Sequence, residues 1–239
     1  MPEPVEAEEA QRAQAVVIGG SGVLGSAIAR RLASEHRVLA TYFSGREEAR
    51  RLLESGCLIE RLDVRDESAI EALLRRTRPR ALVLCAGAGG DGLVARLSVS
   101  SWHEALAVHL DGLFWALRAA LKYLPDEARV VWLGSRVGQS GGVGQGAYAA
   151  CKAGGQALLK VAACEGGARR IAFNTVCPGF ALSPLTQGLG SARLLHERER
   201  DAWGELGRPE LCANLVAWLL SPAARGLSGQ VLHADARLE

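Results

Sequence analysis

Four apolar residues, Ala15-Val16-Val17-Ile18, run directly into Gly19-Gly20-Ser21-Gly22-Val23-Leu24-Gly25, and a helical pattern follows through Leu32. A strand that ends in residues lacking Cβ and re-enters a helix gathers backbone N–H groups and a helix N-terminus at one point, where a pyrophosphate is well held. Glycines also make turns that bind nothing. Position gives this turn its meaning, because it follows the first strand of an alternating strand and helix series. Gly19, Ser21, Gly22, Leu24 and Gly25 are therefore candidate dinucleotide contacts.

Further apolar runs read as strands at Arg37 to Tyr42, Cys57 to Leu62, Arg80 to Cys85, Ala128 to Leu133, Arg170 to Val176 and Gln230 to Ala234. Helical patterns lie between them at Arg46 to Ser55, at Asp66 to Thr77 behind an Asp66 cap, at Ser98 to Leu124, at Tyr148 to Glu165 and at Glu210 to Leu220. This alternation predicts an α/β fold, a single Rossmann-type doubly wound domain over residues 15–239 with right-handed crossovers and a parallel sheet. Residues 1–14, acidic around Glu3, Glu6, Glu8 and Glu9, read as a disordered tail. The period is lost between about 180 and 206, where a substrate lid is expected.

The formal charge is +2, from 28 basic and 26 acidic residues, and favours neither nucleic acid nor a membrane surface as partner. The six cysteines form no CxxC pair, so free thiols in a reducing compartment are expected and a metal site is not. No apolar run reaches membrane-spanning length and no signal-peptide pattern opens the chain, so the expected location is cytoplasmic. These features direct attention to a small-molecule site.

Tyr148 and Lys152 are four residues apart and share a helical face. An ammonium beside a phenol favours phenolate, which suits the phenol to proton exchange near neutral pH. Ser135, after the run Val130-Val131-Trp132-Leu133, can hydrogen-bond the same substrate oxygen, a set suited to carbonyl and alcohol chemistry. The second strand carries no acid between Val38 and Arg46 to hold a ribose 2′-hydroxyl. Thr41, Ser44 and Arg46 instead offer donors to a 2′-phosphate, so NADP(H) is expected, although Arg46 can equally begin a solvated helix. Asp63 and Val64 are placed to meet an adenine. The small residues Ala86 and Gly87 let a cofactor lie against the backbone.

With these residues in place, the chain from Ala15 to about Asp235 resembles the short-chain dehydrogenase/reductase family, in particular its 3-oxoacyl-acyl-carrier-protein reductases. The glycine turn, Asp63-Val64, the Ser135/Tyr148/Lys152 spacing, Asn174, Pro178-Gly179 and Ser228-Gly229-Gln230 carry the resemblance. It implies a seven-stranded parallel sheet with helices on both faces, and a homotetramer or dimer. It further implies Tyr148 as general acid, Ser135 as the group that polarises the carbonyl, and Lys152 as the group that tunes the tyrosine and holds the nicotinamide ribose. Pro178, Gly179 and Ser183 would then lie along the nicotinamide.

Arg169 and Arg170 fall where such reductases meet an acidic carrier protein, or are ordinary solvated side chains. Several positions depart from the pattern. Ile18 replaces a threonine, Gly22 a basic residue, and Leu84-Cys85 an amide pair that cross-links strands. Asp235-Ala236-Arg237 replaces Asp-Gly-Gly. His109 stands where the family has an asparagine supporting a water chain to the lysine, so it either serves that relay or packs between helix and sheet. The expected activity is NADPH-dependent reduction of a 3-oxoacyl thioester in fatty-acid or polyketide-like biosynthesis. The alternatives are reduction of a free small ketone, or a silent NADP-binding scaffold or sensor.

Overall fold

A short run that is apolar at every position must bury both of its faces, and a parallel sheet covered by helices on both sides meets that demand. The computed structural model describes residues 14–89, 92–183 and 190–237. All but the last residue of the expected tail, and part of the expected lid, lie outside the described residues. The strands are β1 (Ala15–Ile18), β2 (Val38–Tyr42), β3 (Leu58–Arg61), β4 (Ala81–Leu84), β5 (Arg129–Leu133), β6 (Ala172–Pro178) and β7 (Val231–Ala234). All pair in parallel, in the order β3-β2-β1-β4-β5-β6-β7.

The helices are α1 (Val23–Ala33), α2 (Arg46–Glu54), α3 (Glu67–Thr77), α4 (Val99–Leu106), α5 (Gly112–Tyr123), α6 (Val137–Ser140), α7 (Gly146–Glu165), α8 (Ser191–Glu199) and α9 (Pro209–Leu220). Successive strand residues serve opposite cores. Val16, Ile18, Leu82, Leu84, Val130 and Trp132 pack under α3, α5 and α7. Ala15, Val17, Ala81, Val83 and Val131 pack under α1, α2 and α9. Asp66 caps α3 as expected, its carboxylate accepting from Ala69 N at 3.0 Å.

The expected continuous helix from Ser98 to Leu124 is instead broken by a wider π turn, Ala107–Asp111, between α4 and α5. Gly112 lies so close to the β3–α3 connection that a Cβ there would sit 2.9 Å from Val64 O. The extra residue in the turn re-phases the helix, so that Leu113, Ala116 and Leu117 reach the core while His109 is also turned inward. The strand order reverses between β1 and β4, and ligands of open α/β sheets bind at the carboxyl ends beside such a reversal. Gly19, Ala86 and Ser135 all follow strands at that edge.

Arg169, expected either among contacts to a carrier protein or as an ordinary solvated side chain, is half-buried and tied to the end of α5. Its guanidinium donates to Leu121 O at 2.7 Å and to Leu124 O, and pairs with Asp126 at 2.8 Å, which satisfies the orphan carbonyls ending α5. Arg170 is exposed and pairs with the surface carboxylate of Glu127 at 3.1 Å. Arg169→Ala is expected to lower the unfolding free energy by about 1–3 kcal/mol, because charge-assisted bonds to those carbonyls are lost. Arg170→Ala should stay within about 0.5 kcal/mol of the parent. Urea unfolding of the two variants measures both.

Candidate active site

The glycine turn is held by close backbone approach. Gly19 adopts φ +87°, and a Cβ there would lie 2.5 Å from Ala86 N; on Gly20 it would meet Ala40 Cβ at 2.7 Å, and on Gly25 it would meet Gly19 O at 2.2 Å. These three positions therefore exclude a side chain, whereas a Cβ on Gly22 would meet nothing nearer than 3.6 Å. Gly22 caps α1 without a side-chain bond, so the first N–H groups of that helix remain for an anion. Leu24 packs at the margin of the core under α1. The donor set and the absence of side-chain bulk fit a dinucleotide pyrophosphate.

Thr41 is not available to a 2′-phosphate. It is buried, and its hydroxyl accepts from Gly19 N at 3.1 Å, which ties β2 to the glycine turn. Ser44 and Arg46 are exposed where β2 meets α2, next to Ser21, whose Oγ would lie 2.8 Å from a Cβ on Gly45. Sequence reasoning missed their neighbours. The guanidinium groups of Arg61 and Arg65 lie 5.2 and 5.3 Å from the centroid of the exposed Phe43 ring. The parallel register that sets Tyr42 against Arg61 brings this cation beside the second strand. Asp63 accepts from Arg65 Nη2 at 2.7 Å, and this bond holds its carboxyl below the usual carboxylate range. Val64 packs against the core beside Gly112.

Lys152, Tyr148 and His109 meet at the other side of the strand reversal. Lys152 Nζ donates to Leu133 O at 2.8 Å and lies 4.7 Å from the Trp132 ring centroid and 5.4 Å from that of Tyr148. The His109 ring stands edge-on to Tyr148 with centroids 5.1 Å apart. Ser135, two residues beyond Leu133, accepts from Val137 N at 3.2 Å through Oγ, and its carbonyl accepts from Gln156 Nε2 at 3.4 Å. That segment packs on the turn of α7 holding Lys152, since a Cβ on Gly138 would lie 2.8 Å from Lys152 C. Burial pushes the Lys152 ammonium down to about 8, with Cys177, Cys151 and Cys85 acting the other way. The same burial pushes the thiols of Cys85 and Cys177 up to about 12 and about 11.

His109 Nε2 lies 2.9 Å from Ala88 O and 3.3 Å from Ala88 N. A carbonyl only accepts, so the shorter contact favours a proton on Nε2 with a lone pair on Nδ1. The longer one, in which Ala88 N–H donates to Nε2, favours the opposite tautomer; the shorter is taken to dominate. That Nδ1 is buried without a hydrogen-bond partner among the described residues. The side chain also lines a cavity of about 20 Å³, room for one water. Cys85, where an amide cross-link was expected to be missing, supplies one: its thiol donates to Ile18 O at 3.1 Å.

A family model described as enoyl-(acyl carrier protein) reductase matches residues 20–236. A short-chain dehydrogenase from Burkholderia cenocepacia, solved in complex with NADP, superposes with a TM-score of 0.85 at 26% identity, over 95% of this chain and 97% of that one. The chain belongs to the short-chain dehydrogenase/reductase family. Its relatives in that family include the 3-oxoacyl-acyl-carrier-protein reductase of Vibrio cholerae, 32% identical over 92% of this chain and 95% of the relative. The human (3R)-3-hydroxyacyl-CoA dehydrogenase is also 32% identical, over 91% of this chain and 92% of the relative. Family membership makes the protein an oxidoreductase using a nicotinamide dinucleotide, NAD(P)(H).

The family's expected lid is partly described. Pro178 ends β6, and Gly179 lies against Gly207 so closely that a Cβ on it would be 2.9 Å from Gly207 Cα. Ser183 is half-buried, just before residues outside the description. The departure at Asp235-Ala236-Arg237 has a structural use. Asp235 pairs with Arg136, next to Ser135, at 2.8 Å. Ala236 N donates to Asp201 Oδ2 at 3.1 Å, and Arg237 pairs with Glu197 of α8.

Burial and the neighbouring Lys152 charge push the His109 imidazole down to about 4. A histidine that titrates near 6.5 unfolded and near 4 folded binds more protons when unfolded in that window, so it draws stability down as pH falls through it. His109→Gln should remove this component. The stability of the variant relative to the parent is expected to rise by about 3 kcal/mol from neutral pH to about pH 4, read by urea unfolding across that range.

Proposed function

We propose that this protein reduces the carbonyl of a 3-oxoacyl thioester with NADPH, the thioester being borne by an acyl carrier protein. The observation that carries the reading is the buried Lys152 ammonium beside Tyr148, with Ser135 anchored on the adjoining segment and the glycine turn on the same sheet edge. Bound NADPH would supply hydride to the carbonyl carbon. Ser135 Oγ already accepts from Val137 N, so its own proton is left to donate to the substrate oxygen. Tyr148 gives a proton to that oxygen as negative charge develops. Lys152 stabilises the phenolate left behind, and the His109 Nδ1 lone pair offers an acceptor for water in the path that restores the proton.

Gly19, Ser21, Gly22, Leu24 and Gly25 would hold the pyrophosphate, Val64, Ala86 and Gly87 the adenosine side, and Pro178, Gly179 and Ser183 the nicotinamide. Ser44 and Arg46, joined by Arg61 and Arg65, would receive the 2′-phosphate. Among the described residues no helix is long and apolar enough to cross a membrane. We place the enzyme in the cytoplasm as a homotetramer, a reading supported by Phe114 on α5 and Val161 on α7, both exposed apolar side chains. A coenzyme A thioester is the second reading, favoured by the commitment of Arg169 to α5.

Loss of reduced-nicotinamide absorbance with one acyl chain offered on carrier protein, on coenzyme A and as a free ketone tests the assignment. Carrier-bound substrate should give the highest kcat/KM; preference for the free ketone would overturn the thioester reading. Tyr148→Phe should lower kcat by about 100-fold or more, and an unchanged rate would sink the mechanism. Arg46→Ala should raise KM for NADPH about tenfold while leaving KM for NADH nearly unchanged.

A further inference from the structure

Trp132 is the largest side chain near Lys152. It sits on β5 one residue before the carbonyl that accepts from Lys152, and is 3% exposed. Lys152 Nζ stands over its ring at 4.7 Å. The opposing helix makes room for the indole: a Cβ on Gly155 would lie 2.5 Å from Trp132 Cη2 and 2.8 Å from Cζ2. The face of an indole is electronegative, and a desolvated ammonium over it is favoured by about tenfold or more. The Tyr148 ring lies farther off, at 5.4 Å, and the titratable groups around the ammonium supply no negative charge near neutral pH. Cys151 on α7, Cys177 on β6 and Cys85 beyond β4 are thiols whose ionisation is pushed upward, and His109 on the π turn is neutral.

We propose that Trp132 is a positioning residue for Lys152, its indole face seating the ammonium and keeping it charged beside Tyr148. The catalytic consequence rests on the reductase reading; the contact itself does not. Removing the ring leaves the ammonium with Leu133 O as its hydrogen-bond acceptor among the described residues. Lys152 should then lose its proton at lower pH, and the tyrosine its charged neighbour.

The chain contains only three lysines, Lys122, Lys152 and Lys160, so the full-length protein labelled with carbon-13 at lysine Cε gives a readable spectrum. Lys152 is assigned as the resonance lost in Lys152→Arg. Its midpoint in the parent is expected at about 8. Trp132→Leu should lower that midpoint by about one unit, Trp132→Phe should restore most of it, and the alkaline limb of the kcat profile should move in step. Biosynthetic replacement of tryptophan by 5-fluorotryptophan, which weakens the ring face with little change of shape, should lower the midpoint by a smaller amount. An unchanged or raised midpoint with fluorotryptophan, or in folded Trp132→Leu, overturns the proposal. Should Trp132→Leu fail to fold by circular dichroism, the fluorinated protein and Trp132→Phe decide. A protein that reduces no thioester still reports the lysine midpoint, so failure of the reductase reading is seen separately.

Discussion

An ammonium withdrawn from water must be met by groups that replace its hydration, and Lys152 imposes that demand on everything around it. Its carbonyl partner comes from β5, its aromatic neighbours from β5 and α7, and the thiols about it from three different elements. A second cation in the same place would be prohibitive, and His109 is accordingly neutral. The charge is thus single, buried and surrounded by groups that leave it little freedom to move. A fixed positive charge beside a phenol is what proton transfer to a carbonyl oxygen requires.

The glycine turn and the lysine are two constraints that meet at one edge of the sheet. The strand reversal between β1 and β4 opens the crevice, and small residues on both sides let backbone approach backbone. Thr41 and Cys85 then stitch the turn to its neighbours from β2 and from beyond β4. Neither bond is visible in the sequence, where Thr41 reads as a phosphate donor and Cys85 as a lost cross-link. Each replaces a freedom of the loop with a fixed direction for its N–H groups, so the candidate anion site is organised without a ligand.

Most strand and helix boundaries are legible because apolar runs on both faces leave few alternatives, and the four-residue spacing of Tyr148 and Lys152 reads directly from a helix; α6 and α8 are not, α8 lying where the regular period is lost. The π turn was not legible. The apolar period of Ser98 to Leu124 survives on both sides of it, and only the proximity of Gly112 to Val64 calls for the extra residue. In the sequence Thr41 reads as a 2′-phosphate donor alongside Ser44 and Arg46, whereas its burial within β2 turns it toward Gly19. The bonds of Arg169 are illegible for a related reason. Helix-end carbonyls forty-five and more residues earlier in the chain leave no mark on the sequence around it. The cations at Arg61 and Arg65 depend on strand register, which the chain does not state locally.

The contact between Trp132 and Gly155 reaches beyond this one chain. The indole fills the space that a Cβ at position 155 would need, so neither residue is independent of the other. Among relatives the two positions should change together: a bulky aromatic on the strand with glycine on the helix, or a small strand residue with a larger helical one. A lineage crossing from one state to the other would have to pass through a cavity or a clash. The two positions therefore act as one packing unit, and the space under Lys152 is set jointly by strand and helix.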